Sequence, residues 1–242
     1  MNQFNLPVRT HLNELRRRLF ITVLAVIITT VVSFIFHQQI IRLLLIPAND
    51  IATLGGGALV FTELTEMFTV SVKVSLVTGL ILAMPMILYQ IIMFVSPGLT
   101  FAEKRYLFVF LPVAVIAFAG GIAFGYFIVI PPAVGFLIKF GGDLASPMIR
   151  IANYINLLVT LLFWIGVIFE TPLIMFILAR LGIISPNLFA KWRRMWVVVA
   201  FILAALITPT FDPLNQSLVA IPLIILYEVG ILLAKFASRG RK

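Results

Sequence analysis

The chain has 242 residues, 62% hydrophobic and only 11% charged, with a mean hydropathy of +1.15. That composition excludes a water-soluble globular core and points to an integral membrane protein. The formal net charge of +9 would suit nucleic acid, but its one-sided distribution reads better as membrane topology and contact with anionic lipid; with no cysteine, disulfides and thiol chemistry are excluded too.

Apolar runs predict an all-α protein with six membrane-spanning helices, at about 19–36, 74–95, 106–130, 157–179, 195–208 and 217–234, forming one domain over 1–242. Most match the roughly 20 residues needed to cross about 30 Å of hydrocarbon. Lipid leaves unpaired backbone groups no partner, and no barrel-type alternation appears, so the spans are helices. The first run is too long for a cleavable leader, an acid precedes it and no small-residue cleavage site follows, so it reads as a retained span.

The first outer connection, 37–73, holds Pro47, the flexible triplet Gly55-Gly56-Gly57 and a stretch 61–68 that reads as an amphipathic helix on the outer surface. Pro85 lies inside the second run. Thr100-Phe101-Ala102-Glu103 has capping-box spacing at the start of the third, where Gly121 and Gly125 form a GxxxG that signals close helix packing. Residues 131–152 read as a second outer cap, opened by Pro131-Pro132 and containing Gly141-Gly142-Asp143. The fourth run contains Phe169-Glu170-Thr171-Pro172, and Trp192 and Trp196 anchor the start of the fifth at the interface. The fifth run has only 14 residues between Arg194 and Pro209, about 21 Å of helix and roughly 9 Å short of the hydrocarbon core. The sixth is short and carries Pro222, so this end is expected to thin the bilayer or dock another transmembrane helix.

The basic residues settle the predicted orientation. Of the eighteen, Arg9, Arg16, Arg17, Arg18, Lys104, Arg105, Arg180, Lys191, Arg193, Arg194, Lys235, Arg239, Arg241 and Lys242 fall on one set of connections, and only Arg42, Lys73, Lys139 and Arg150 on the other. The positive-inside rule then puts both termini in the cytoplasm.

Nine acidic residues are few enough to weigh singly. Glu170 sits near mid-depth, where a carboxylate costs about 2.5–3.5 kcal/mol, so it must face the protein interior, a wet cavity or a partner. Pro172 frees a backbone carbonyl nearby and makes a kinked spot. Glu170 is either a hydrogen-bonded structural acid or a functional one. Glu14 reads as an i,i+4 partner of Arg18, and Glu103 as a capping-box acid. Together they also form two carboxylates on one membrane face beside excess positive charge, a pattern able to fork-bind the guanidinium groups of a basic peptide. Catalysis lacks its parts: His11 and His37 lie at opposite membrane edges, and no HExxH, GxSxG or P-loop occurs.

His11-Leu12-x-Glu14-Leu15-Arg16-x-Arg18-Leu19, Pro47, Pro85-x-x-Leu88-Tyr89-Gln90, Phe94-x-x-Pro97-Gly98-Leu99-x-x-x-Glu103, Phe169-Glu170-x-Pro172 and Thr208-Pro209 with Asp212 and Gln216 resemble the TatC family, a component of the twin-arginine protein translocase. The similarity covers essentially the whole chain. One departure is Thr208-Pro209-Thr210-Phe211-Asp212-Pro213, where the family commonly has adjacent prolines and a shorter spacing, so Gln216 fits the pattern better than Asp212.

The resemblance implies a receptor in the bacterial cytoplasmic membrane that reads twin-arginine signal peptides on folded cargo and works without cofactor or catalysis. It implies that Glu14 and Glu103 contact the paired arginines, with Phe94, Arg16 and Arg18 on the same surface. It implies a cupped set of six helices with Glu170 inside the concavity, and a contact of Gln216 with the single-span partners TatA and TatB. Self-association and use of the proton-motive force also follow from it, while nucleic acid does not. The rival reading is a stand-alone proton-coupled transporter of a small solute using Glu170; the absence of internal repeats counts against it.

Overall fold

The computed structural model describes residues 8–48, 59–95, 101–139, 148–208 and 213–239, and these residues are overwhelmingly helical. Helix α1, Val8–Ile35, begins well ahead of the apolar run at residue 19, because Leu12, Glu14, Leu15 and Arg16 to Arg18 are straight-chain residues that extend a helix cheaply. At 28 residues it is about 42 Å long, more than a bilayer core needs. It gives way at Phe36, whose ψ of 13° is no longer helical, and α2 follows as His37–Leu45 with Ile41 and Leu44 buried. A 3-10 turn, Ile46–Ala48, carries Pro47 and ends it.

Helix α3, Glu66–Val95, keeps Pro85 inside its length. The stretch 61–68 is therefore not a helix of its own: Glu66 to Phe68 open α3, and Phe61 to Thr65 form its approach. The amphipathic surface helix is α2 instead. Residues 49–58, with the three glycines, lie outside the described residues.

Helix α4, Phe101–Phe124, runs through a π-turn, Gly125–Val129, into α5, Ile130–Lys139. Pro131-Pro132 consequently does not end the span as expected. The π-turn closes on Ile130, whose N–H donates to the Gly125 carbonyl, and the prolines then occupy a fresh first turn where missing N–H groups cost little. The glycines at 141 and 142 lie outside the described residues.

Helix α6, Ile151–Phe169, is the centre of the molecule, with ten buried residues. One cluster joins it to α2, α3 and α5; another joins it to α9, Arg193–Ile207, and α10, Pro213–Arg239. Helix α7, Thr171–Arg180, continues α6 beyond a break at Glu170, and the short α8, Pro186–Lys191, is capped by Ser185, whose side chain accepts from the Leu188 N–H. Lipid tails are as apolar as leucine, so burial between spans stabilises by close packing rather than by excluding water. GxxxG packing is where the sequence put it: a Cβ on Gly121 would lie 2.8 Å from the Phe169 ring, against α6.

Among the described residues, five helical segments are long and apolar enough to span: Leu12–Ile35, Glu66–Phe94, Phe110–Phe136, Ile151–Arg180 and Gln216–Ser238. This is a multi-pass, all-helical membrane protein. Helix α9, expected as the fifth of six spans, has 15 residues, about 22 Å, and falls below that length.

The seam between α1 and α3 is backbone against backbone. Thr29 Oγ1 donates to the Gly79 carbonyl at 2.7 Å, and a Cβ on Gly79 would lie 2.5 Å from the Thr30 Cα. Gly79→Ala is therefore expected to force α1 off α3 at a cost on the order of 2 kcal/mol, whereas Gly120→Ala, with open space around it, should be near neutral. Thermal unfolding of the two variants in detergent checks this; equal midpoints would contradict it.

Candidate functional site

The antiparallel α1–α3 register that sets Thr29 against Gly79 also sets Arg18 against Gln90. Arg18 Nη1 donates to Gln90 Oε1 at 3.4 Å, and Arg18 Nε to Glu14 Oε1 at 3.0 Å, with a second guanidinium contact from Nη2 to the same oxygen. Gln90 is buried; the side chains of Arg18 and Glu14 are 17% and 26% exposed. Among the described residues both bonds to Glu14 fall on Oε1, so Oε2 remains for another donor. The expected i,i+4 pair is thus present, with Gln90 added from the facing helix. The same register brings Phe94, one turn beyond Gln90, level with Glu14 at the end of α3.

Arg16 stands elsewhere. Two residues along a helix turn it by about 200° from Glu14. It lines a separate recess on the outer side of α1 with Asn13, Arg17 and Phe20, away from Gln90. Glu103 falls in the first turn of α4, whose start lies at the same end of the bundle as the start of α1; its side chain, like Thr100, lies outside the described residues.

The acid at mid-span sits at the break between α6 and α7. Pro172 occupies the first turn of α7, where its missing N–H is harmless, and the Glu170 carbonyl accepts from Leu173 and Ile174 at 3.1 and 2.9 Å. The Glu170 side chain is 3% exposed, and among the described residues its Oε1 has no hydrogen-bond partner. A buried carboxyl oxygen without a partner costs free energy. Gln216, in the first turns of α10, is half-buried at the opposite end of the bundle from Glu14; Asp212 lies outside the described residues.

A further ionic cluster was not foreseen from the sequence. Glu66, the first residue of α3, accepts from Thr62 N at 2.9 Å, from Ala152 N at 3.1 Å and from Arg150 Nη2 at 3.0 Å; Arg150 also donates to Glu63 at 3.0 Å. Glu66 thereby caps the N-terminus of α6 from another helix, where a negative charge suits the helix dipole. The two carboxylates, Glu66 foremost, hold the Arg150 guanidinium above its usual pKa. A parallel bridge strengthens the link, with Val60 N donating to Ile149 O and Ile151 N to Val60 O. The signal available was one arginine on the sparsely basic side, directly before an apolar run, and an acid opening another.

The family model described as "Sec-independent protein translocase protein (TatC)" matches residues 10–222. The Carboxydothermus hydrogenoformans protein TatC is 42% identical over 93% of this chain and 91% of its own length; that of Deinococcus radiodurans is 40% identical over 95% and 86%. A solved structure described as the twin-arginine translocase receptor TatC superposes with a TM-score of 0.85 at 36% identity, covering 95% of this chain and all of that one.

Arg150→Ala should lower the unfolding temperature by several degrees, because it strips the buried Glu66 of its cation, whereas Glu63→Ala, at the exposed edge, should barely move it. Glu170→Ala should leave the unfolding midpoint unchanged or higher yet reduce export of a folded reporter. Unchanged export would assign Glu170 a purely structural role.

Proposed function

The chain belongs to the TatC family of Sec-independent protein translocase proteins, and from that premise we propose that its Glu14 end is the docking site for the paired arginines of a signal peptide. It is a translocase subunit and a receptor rather than a catalyst. The observation that carries the site is the Glu14 carboxylate, held at the α1–α3 seam with one oxygen on Arg18 and the other unused by the described residues. Arg18 occupies the place an incoming guanidinium would take, so docking exchanges one fork for another. Glu103, in the first turn of α4 at the same end, offers the second carboxylate.

An arginine pair can make parallel charge-assisted bonds to two carboxylates, which lysine, a point charge, reproduces poorly. The surrounding Arg16, Arg17, Lys104 and Arg105 repel a generic cationic segment that fails to engage both acids. Arg16 faces the outer side of α1 and so acts through its field, while Arg18 bonds the carboxylate itself and Phe94 stands level with it along the seam. The apolar part of the signal peptide adds affinity by burial.

In this reading α9 is the fifth of six spans, both termini are cytoplasmic, the membrane is the bacterial inner membrane, and the whole chain is one cupped domain. The single-span partners TatA and TatB meet the Gln216 end, where the short α9 leaves room for another helix. Transport draws on the proton-motive force, worth about 2.3 kcal/mol per charge per 100 mV.

The test is capture of the detergent-solubilised chain by a signal peptide bearing two arginines against the same peptide bearing two lysines. Glu14→Gln and Glu103→Ala should each weaken the arginine peptide about tenfold, the worth of one lost charge-assisted bond, and leave the lysine peptide unaffected. Full retention of the arginine peptide by Glu103→Ala would reduce that acid to its capping role.

A further inference from the structure

At the end of the bundle away from the N-terminus, α1, α2 and α3 enclose a recess of about 500 Å³. Phe34, Met67 and Phe68 supply its apolar lining, and His37, Gln38 and Arg42 its polar lining. Helix α2 is fixed there from both sides of its axis. Ile41 and Leu44 are buried in the core, and its last carbonyls are bonded, Leu43 O by the Tyr126 hydroxyl at 2.7 Å and Leu44 O by that of Tyr154 at 3.2 Å. Steps of 100° put residues 37, 38, 41 and 42 on one face, so a rigid helix presents all three polar groups together.

Arg42 is the informative residue. It is one of only four basic residues on the side opposite the termini. Of the other three, Arg150 is consumed by Glu63 and Glu66, Lys73 donates to Asn156, and the Lys139 side chain lies outside the described residues. Among the described residues, no carboxylate pairs with Arg42. His37 spends Nδ1 on the Phe34 carbonyl at 2.7 Å and stacks on the Phe34 ring, which orients the ring and frees Nε2. Phe68 is 66% exposed and Phe34 41%, so the recess opens onto surface that faces lipid.

We propose that this recess holds the head group of an anionic glycerophospholipid from the leaflet at that end. Arg42 forks the phosphate, the pairing for which guanidinium geometry is suited, Gln38 donates to a remaining oxygen, and His37 Nε2, an acceptor once Nδ1–H is on the Phe34 carbonyl, accepts from a head-group hydroxyl. The first methylenes of the acyl chains lie on Phe34, Met67 and Phe68. The volume suits a glycerophosphate head. A zwitterionic lipid offers the same phosphate but brings a cation that Arg42 repels, so the recess selects for net negative charge. The site is independent of Glu14 and of signal-peptide docking, at the other end of α1.

The full-length chain, stripped of endogenous lipid in mild detergent, would be titrated with phosphatidylglycerol or chain-matched phosphatidylcholine and read by native mass spectrometry. Phosphatidylglycerol should be retained about tenfold better. Arg42→Gln should abolish that preference, and Arg42→Lys should keep part of it. Equal retention of both lipids, or a preference surviving in Arg42→Gln, would overturn the proposal, as would displacement by millimolar inorganic phosphate, which would mark a site for free anions. Should Arg42→Gln fail to fold, the wild-type chain still decides. Phosphatidylglycerol with a photoreactive group beside the glycerol must label peptides containing residues 34–42 or 67–68, and labelling confined to other segments refutes the site.

Discussion

Helix α1 meets the rest of the molecule along a single seam. Nearly all its other faces are turned to the membrane: only 6% of its most apolar window is buried. Its position therefore rests on the backbone approach at Gly79, where Thr30 leaves no room for a methyl group and Thr29 locks the carbonyl. That one contact sets a register, and the register does the rest: Arg18 faces Gln90, Glu14 is drawn in by Arg18, and Phe94 comes level with Glu14. A slip of one turn would carry the carboxylate about 5 Å along the helix and leave the arginine facing apolar side chains. A glycine at mid-membrane thus governs chemistry near the surface.

Helix α6 plays the complementary part. It touches both halves of the core, and its two ends are settled differently. At its start the N–H groups of Ile151 and Ala152 meet Val60 and Glu66, which ties the helix to α3. At its other end the chain breaks at Glu170, whose buried Oε1 has no hydrogen-bond partner among the described residues.

The long apolar runs were readable because they follow directly from the cost of polar groups in hydrocarbon. Gly121 and Gly125 were readable for a similar reason, since small residues at that spacing admit a neighbouring helix. Three features were not. Helix α2 has nine residues and its partners lie far along the chain, in Tyr126 and Tyr154, so its local pattern resembled a loop. Pro131-Pro132 looks like a terminator unless one knows that a π-turn just before it resets the ladder. Glu66 and Arg150 are 84 residues apart, and neither betrays its partner. At the candidate site, residue types pointed to Glu14 and Arg18; the contribution of Gln90 needed the helix register, and the separation of Arg16 from Glu14 needed only the 100° step.

The ion pair between Arg193 and Glu228, at 2.9 Å, carries a consequence for the surrounding bilayer. It aligns the start of α9 with the middle of α10, and the stacked rings of Trp196 and Tyr227 repeat the alignment one turn on. Helix α10 then continues for eleven residues, about 16 Å, to Arg239, with Arg180 of α7 reaching Ala237 alongside it. The underside of the protein is therefore a staircase rather than a floor. Helix α8 fills part of that step, Phe189 lying against Ala234 and Ala237, so on this flank protein rather than lipid lines the riser between Arg193 and the end of α10.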